Sequence, residues 1–295
     1  MQPSELQRIA TPSSRRAVSF GRRVAMLLVG LSLCASAQAQ SEADLARQAQ
    51  NPVADMVSLP FQNNTNFNAG PRNRTQNVLN IQPVVPVTLN ERWNLITRTI
   101  LPVTYVSSGR STGDAVLPSG SDFGSKFGLG DATFTAFFSP RDSGKLTWGV
   151  GPVVLIPTST DDVLGVGEWG GGLSAVVLGM PGNWVVGSLF SNVWSATAGD
   201  GSKVDLFTWQ YFINYNIPES GGWYLTSAPI ITANWEADSE DRWTVPVGGG
   251  VGKIFRIGKQ PMNAQVAAYY NVDKPRFGAD WQLRLQLQFL FPKGR

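Results

Sequence analysis

The sequence predicts an all-β protein, a transmembrane antiparallel up-and-down β-barrel of about twelve strands with a short helix before it. Three observations support this fold class. The chain opens with the features of a secretory signal, the remainder is a series of segments that alternate polar and apolar residues, and the connections between these segments alternate between short and long. Bacterial outer-membrane barrels combine these three features.

Residues 1–39 are expected to form a secretory signal peptide that is cleaved from the mature protein. A basic region with Arg15, Arg16, Arg22 and Arg23 precedes an apolar run at residues 24–33, and small residues follow at Ala37 and Ala39. The run is too short to cross a bilayer as a helix, which takes about 20 residues. Cleavage at either alanine would remove Cys34, the single cysteine, and leave the mature chain without a disulfide or a thiol nucleophile.

The amino-acid composition excludes several classes of function. The pI near 9.1 results in part from the signal segment, which holds five of the 24 basic residues and one of the 21 acidic residues. The mature chain would carry 19 basic and 20 acidic residues, so nucleic acid is not an expected partner. The chain has no histidine, which excludes Ser-His-Asp catalysis and the commonest metal ligand. A barrel enzyme would depend on carboxylates or lysine, and no such constellation is evident. We therefore predict no enzymatic function, no cofactor and no metal.

Residues 40–56 are expected to form a short helix and a linker. Ser41 is a suitable N-cap, acidic residues follow it in the first turn, and the Asn51-Pro52 step ends the helix. Short polar helices are marginal by themselves. Two interpretations are open: a linker in the periplasm, or a plug that tucks into the barrel mouth.

The barrel is expected to span residues 57–295. Twelve segments alternate in polarity, and each is near or above the length of about 9–11 residues that a tilted strand needs to cross a bilayer. The clearest are 75–88 and 204–217, whereas glycines blur the alternation in 169–180. The predicted segments are 57–68, 75–88, 92–106, 129–139, 145–157, 169–180, 184–197, 204–217, 223–236, 242–257, 262–272 and 280–291.

The last strand, Trp281–Phe291, indicates which face of the barrel wall contacts lipid and which contacts water. Its odd positions are all apolar, whereas its even positions include Gln282, Arg284, Gln286 and Gln288. Side chains alternate across a strand, and a packed core would not accept these polar groups unpaired. We therefore predict lipid on the odd face, a wet lumen on the even face, and the terminal aromatic residue that outer-membrane barrels often have.

The connections and the tryptophans give independent support. Compact turns rich in proline, glycine and asparagine alternate with longer or more acidic loops such as 107–128, 158–168 and 236–241. With both termini in the periplasm, short turns lie inside and long loops outside. Tryptophans flank both kinds of connection, which predicts two interfacial aromatic girdles. The girdle residues are Trp93, Trp148, Trp184, Trp223, Trp194, Trp235, Trp243 and Trp281.

Four stretches resemble a widespread group of bacterial outer-membrane proteins. They read LARQAQNPVADMVSLPFQNN, RTQNVLNIQPVVPVTLNERWNLITRTILPV, WYLTSAPIITANWEADSEDRWTVPVGGGVGKIFRIGKQP and WQLRLQLQFLFPK. This family is often labelled as transporters or, misleadingly, as neuromedin U, and it is similar to the meta-pathway phenol-degradation barrels. The resemblance covers essentially the whole mature chain. It implies an outer-membrane barrel with a transport role, and it brings no catalytic motif.

Three arginines are candidates for the lumen. If odd positions face lipid in their strands, Arg98, Arg256 and Arg284 point inward, where guanidinium groups in a narrow barrel would favour anions. The alternative is that they pair with Asp131 and Glu236 and only stiffen the wall, because an unpaired enclosed charge is costly. Both interpretations are open.

Lys253 does not fit this alternation, which would direct it at lipid. It lies near the expected periplasmic end of its strand, where a lysine can snorkel to the interface. A frame shift across Gly248–Gly250 is the alternative, and it would turn Arg256 outward instead.

The acidic loops invite a cation site. Their carboxylates could hold calcium or the cations that accompany lipopolysaccharide. No loop has EF-hand spacing, however, and a solvated outer rim is the simpler interpretation. The carboxylates concerned are Asp161, Asp162, Asp238, Glu240 and Asp241.

The sequence thus predicts a bacterial outer-membrane protein that acts as a passive channel or transporter for small solutes. Eight strands give a barrel filled by side chains and about sixteen leave an open channel, so about twelve should leave a narrow one. Anions and compounds of aromatic catabolism are candidate solutes. The alternative is a closed structural or ligand-binding barrel without conductance. The expected partners are outer-membrane lipid, lipopolysaccharide and the barrel-assembly machinery.

Overall fold

The predicted fold class is confirmed, because twelve spans close into an antiparallel barrel preceded by one short helix. The computed structural model describes residues 42–110, 122–195 and 204–292, so the expected signal peptide lies outside the described residues. Helix α1 covers residues 42–49. No helix in these ranges has the length and apolar character needed to cross a membrane. The strands are β1 (Val57–Ala69), β2 (Arg74–Ile81), β3 (Val84–Thr88), β4 (Trp93–Val106), β5 (Gly109–Arg110), β6 (Asp122–Phe123), β7 (Lys126–Leu129), β8 (Ala132–Pro140), β9 (Leu146–Ile156), β10 (Gly170–Gly179), β11 (Trp184–Ser195), β12 (Asp205–Asn216), β13 (Trp223–Ser227), β14 (Ile230–Asn234), β15 (Trp243–Ile257), β16 (Gln260–Asp273) and β17 (Trp281–Phe291).

Three spans are interrupted, since β2 continues as β3, β7 as β8 and β13 as β14. Strands β5 and β6 form a separate two-stranded ribbon within the connection from β4 to β7. The break between β13 and β14 falls at Ala228 and Pro229. Pro229 has no N–H to give to a ladder. The pairing of β13 with β12 and with β15 ends before it, and β14 resumes at Ile230.

The barrel is closed by pairing between the first and last strands. β1 pairs with β17 from Val57 opposite Phe291 to Phe67 opposite Trp281. The other spans pair with their neighbours in sequence, including β11 with β12. Both ends of the barrel chain therefore lie at the same end as the short connections, which we call the short-turn end. The long connections lie at the opposite, long-loop end.

The two faces of the wall differ in burial as the alternation predicts. In β17, Leu285 is 48% exposed, whereas Arg284 is 3% exposed. The same alternation occurs in β16, where Val266 and Tyr270 are exposed and Tyr269 is buried. Exposed apolar side chains on the outside of a closed barrel are the surface that lipid covers.

Tryptophans lie near both rims of the outer face. Trp93 meets Trp148 edge to face at 5.9 Å near the short turns, and Trp235 meets Trp243 at 5.6 Å near the long loops. Aromatic rings at these levels suit the polar–apolar boundary of a bilayer. Further exposed tryptophans are Trp184 and Trp223 at the short-turn end and Trp194 and Trp281 at the long-loop end.

A polar cluster interrupts the apolar outer face next to the closing seam. Asn63 and Asn77 exchange side-chain hydrogen bonds of 2.8 and 3.0 Å, and Asn77 Nδ2 also donates to Thr65 Oγ1 at 2.9 Å. An amide that meets hydrocarbon without a partner is costly. This cluster supplies its own partners, which explains how three polar residues are tolerated on that face.

Substituting arginine at mid-wall should cost far more stability than the same substitution at the rim. Val266 and Val272 lie on the same outward face of β16, at mid-strand and near the long-loop end, and both are exposed. We expect Val266→Arg to lower the free energy of unfolding by about 2–4 kcal/mol and Val272→Arg by about 0–1 kcal/mol. Denaturant titration of protein refolded into vesicles measures both. Equal losses would contradict the membrane-spanning position of this wall.

Candidate functional site

The segment 42–56 lies inside the barrel at the short-turn end, and we call it the plug. Its Val53 belongs to an apolar cluster with Ile96, Phe137 and Phe212 on one side of the wall. A second apolar cluster joins the plug to Ile254 and Leu290, on β15 and β17. The plug residues of this second cluster are Leu45, Ala46, Ala54 and Met56. These residues are therefore held against two separate arcs of the barrel wall.

Hydrogen bonds fasten the plug further. The amides of Gln50 and Asn216 exchange hydrogen bonds of 2.9 and 3.3 Å, and Arg47 donates to the carbonyl oxygen of Gly182 at 2.6 Å. Asn51 Oδ1 accepts from the N–H of Val53 at 2.9 Å, which turns the chain after α1. These contacts are polar and partly exposed, and they add to the two buried apolar clusters that hold the plug.

A small inner cavity of about 140 Å³ separates the plug from the rest of the lumen. Arg98 lines it and donates to Gln82 Oε1 at 2.6 Å. Gln286 and Gln288 also line it, and Gln288 accepts a hydrogen bond from Asn263 at 3.1 Å. The Arg98 guanidinium is thus bonded to a neutral amide in a cavity that other neutral amides also line.

Arg284 lies between this inner cavity and a larger space toward the long loops, because it lines both. Its Nε donates to Asn64 Oδ1 at 3.0 Å, one terminal nitrogen donates to the carbonyl of Ala228 at 2.8 Å, and the other donates to Gln282 Oε1 at 3.1 Å. The guanidinium also lies 4.8 Å from the centre of the Tyr269 ring. Arg284 therefore bridges the lumen from β17 to the break between β13 and β14.

The larger space, which we call the outer chamber, has a volume of about 570 Å³. Its floor is polar, with Asn64, Asn66, Gln282 and Arg284. The part nearer the long loops is more apolar. It is lined by Val106, Phe123, Val163, Ile230 and Phe277. The chamber offers both an apolar wall and hydrogen-bonding groups to a small molecule.

The other predicted lumen residues lie away from these cavities. Arg256 is exposed at the end of β15 and lines neither. The Asp131 carboxylate accepts from the N–H groups of Ser159 and Gly167, at 3.1 and 3.0 Å, and so holds the loop before β10. Glu236 lies in the connection after β14. The three arginines do not form one patch.

The interpretation in which the arginines form ion pairs does not apply to Arg98 and Arg284 within the part of the chain that the structure describes. Within the described ranges, no carboxylate lies within ion-pair distance of Arg98 or Arg284. Their hydrogen-bond partners there are neutral groups. Among the described residues, the lumen arginines are therefore stabilised by neutral acceptors and not by carboxylates.

Lys253 lies on the outer face, in agreement with unbroken alternation. Its neighbours Gly252 and Ile254 face inward, where Ile254 is fully buried. The Lys253 ammonium lies 5.0 Å from the centre of the Trp223 ring near the short-turn end. Of the two interpretations, snorkelling toward the interface fits this position.

The acidic loops make hydrogen bonds within the protein. Asp161 accepts from the Lys126 ammonium, and Asp241 Oδ1 accepts from the N–H of Arg276 at 2.6 Å. Across the described residues, no group of three or more suitable side chains could hold a metal ion. These contacts fit a solvated rim that ties neighbouring loops together.

Acid should loosen the loop that walls the outer chamber between β16 and β17. Hydrogen bonds from Lys274 and then from Asn68 hold the pKa of Asp280 below its ordinary value. A depressed pKa stabilises the fold above the usual aspartate range near pH 4, and that contribution is lost as the pH falls through the folded value. We expect protection factors of residues 274–280 against hydrogen exchange to fall below about pH 4. In Asp280→Asn this pH dependence should be absent, and an unchanged dependence would assign it to another group.

Comparison with known proteins supports the fold. No protein-family model matches the chain, and no curated protein matches it. An outer membrane channel from Pseudomonas putida F1 is similar in structure, with a TM-score of 0.58 and 21% identity over 80% of this chain and 94% of that chain. At this identity the similarity shows the barrel fold alone.

Two other solved structures are more distant. The CymD monoaromatic hydrocarbon channel has a TM-score of 0.46 and 10% identity over 88% of this chain and 93% of that one. A FadL homologue of Pseudomonas aeruginosa has a TM-score of 0.40 and 9% identity over 80% and 90% of the two chains.

Proposed function

We propose that this protein is a bacterial outer-membrane channel for small solutes, gated by its own N-terminal plug. The observation that carries the proposal is the series of compartments along one lumen: the outer chamber, the Arg284 constriction, the inner cavity and the plug. A solute from outside would enter the chamber first and would need the plug to move before it could leave. The secretory signal and the lipid-facing outer wall support an outer-membrane location.

The solutes we propose are small anions, including compounds of aromatic catabolism. Arg98 and Arg284 border the lumen with neutral partners, so the potential along the path is positive. The sequence resemblance to meta-pathway phenol-degradation barrels supports the aromatic part of this proposal.

Ion and solute flux through the purified mature protein tests the proposal. In planar bilayers we expect a small conductance with an anion-to-cation permeability ratio above one. Arg98→Gln should lower this ratio, whereas Arg256→Gln, which changes an arginine outside both cavities, should leave it unaltered. Equal effects of the two variants would contradict a lumen origin of selectivity.

The second candidate is a closed ligand-binding barrel, which the packing of the plug against two arcs of the wall favours. Such a barrel would conduct no ions and pass no solute into proteoliposomes, even with the plug removed. Absence of flux from folded protein in both forms would therefore replace the channel by this alternative.

A further inference from the structure

The charged residues that line the outer chamber, among those the structure describes, are all basic. Among the described residues that line it, three are arginines and none is acidic. Arg72 and Arg74 lie at the exposed rim, and Arg72 is paired with Asp122 at 3.4 Å. Arg284 lies at the floor, 3% exposed and without a carboxylate within ion-pair distance in the described chain. An enclosed cation at the end of a basic entrance attracts an anion.

Arg284 also has N–H groups beyond those that form its three hydrogen bonds. A guanidinium carries five N–H groups, and the structure assigns three hydrogen bonds to it, one from each nitrogen. Each terminal nitrogen therefore has one further N–H that donates to no group in the described part of the chain. Two parallel N–H groups on the terminal nitrogens are the arrangement that binds a carboxylate through both oxygens.

The rest of the chamber fits a compact apolar body. Phe123, Val163, Ile230 and Phe277 line it together with prolines of the surrounding loops. At about 570 Å³ it lies within the range of small-molecule sites, about 300–1,000 Å³. A ligand that fits both the Arg284 floor and the apolar wall of the chamber has one carboxylate and an apolar group such as a single aromatic ring.

We propose that the outer chamber is a binding site for amphipathic monocarboxylates, with the carboxylate on Arg284 and the apolar body against Phe277 and its apolar neighbours. This deepens the proposed channel function by naming the solute class that its outer compartment selects. The bound carboxylate compensates a positive charge that is otherwise surrounded by neutral acceptors. The amides of Asn64 and Gln282 hold the guanidinium in place while the ligand is absent.

Calorimetric titration of the mature protein in lipid nanodiscs tests this site, with 4-phenylbutyrate and its neutral amide as probes. The two probes share one apolar body and differ only in the polar group, which is an anionic carboxylate in one and a neutral carboxamide in the other. We expect wild-type protein to bind the acid about tenfold or more tightly than the amide, because the charge-assisted bidentate contact is lost with the amide. This comparison needs no variant, so it remains decisive if a variant fails to fold. Equal affinities would overturn the proposal.

Three variants locate the contact. Arg284→Gln should weaken binding of the acid by about tenfold and leave the amide nearly unchanged. Phe277→Ser should weaken both probes to a similar degree, since it removes part of the apolar wall. Arg256→Gln, at the exposed end of β15, should bind both as wild type does. A preference for the acid that persists in folded Arg284→Gln would also overturn the proposal.

Binding and transport can fail separately. A protein that binds the acid selectively and passes no ions or solutes would refute the channel and keep this site. A protein that conducts and shows no preference for the acid would refute this site and keep the channel.

Discussion

Removal of residues 42–55 is expected to raise single-channel conductance by roughly tenfold or more, the largest effect that the structure predicts. The deleted segment contains α1 and Val53, which fill the lumen at the short-turn end. A barrel of about twelve strands without an inner plug should leave a narrow continuous pore. Planar-bilayer recordings measure the change, and heat-modifiable migration on gels shows that the barrel still forms.

The matched control holds the plug in place. Gln50 and Asn216 exchange amide hydrogen bonds, so cysteines at both positions can be joined by a short bifunctional thiol reagent. The joined protein should conduct no more than wild type, and the reagent should have no effect on either single cysteine variant. Unchanged conductance of the folded deletion variant would show that the plug does not limit flow.

Gly252→Ala is expected to cost about 3 kcal/mol of unfolding free energy or more, because the added methyl group has no space. A Cβ at Gly252 would lie 2.1 Å from Cζ and 2.3 Å from Oη of Tyr224. Tyr224 cannot turn aside easily, since it is 1% exposed and its hydroxyl donates to Asn263 Oδ1 at 2.7 Å. Denaturant titration in lipid vesicles measures the loss.

Gly171→Ala is the control, a strand glycine whose added Cβ would meet no atom within 4 Å. It should change the free energy of unfolding by no more than about 0.5 kcal/mol. A slight increase is expected if alanine acts mainly by lowering the conformational entropy of the unfolded chain. Gly252→Ala should cost much less in a Tyr224→Ala background than in the wild type, and a double-mutant cycle measures this difference. Equal costs at Gly252 and Gly171 would mean that the Tyr224 ring does not occupy this position.

The barrel could be predicted from the sequence because lipid and lumen impose opposite demands at successive residues. Trp281–Phe291 obeys this rule at nearly every position, and the structure pairs it with β1 without a register shift. Prediction was weaker where backbone chemistry intervenes. Segment 223–236 is expected as one strand, whereas the structure ends β13 before Ala228 and Pro229. Pro229 by itself was no signal, because β1, β4 and β9 run through Pro60, Pro102 and Pro152 without a break.

The site was harder to predict because distant segments build it. The outer chamber takes Phe277 from one connection and Phe123 from another, and no periodic pattern relates them. Asp131 looked like a partner for the lumen arginines, yet its oxygens accept from loop N–H groups. Tyr269 carried a usable signal, as the large aromatic residue among the amides of the inward face of β16.

The sequence did not decide where the segment 42–56 lies, and the reason is physical. The helix 42–49 is short and polar, so its own stability says nothing about where it lies. The informative residues were Val53 and Met56, apolar side chains in a linker that a periplasmic location would leave in water.

The seam between β1 and β17 has a kinetic consequence. Its first pair, Val57 with Phe291, joins residues at opposite ends of the barrel chain, whereas the other ladders join spans that follow one another in sequence. The entropy lost on closing a loop grows with its length, so this ladder is the slowest to form and should complete the barrel. The plug precedes β1 directly and is therefore enclosed in that final step.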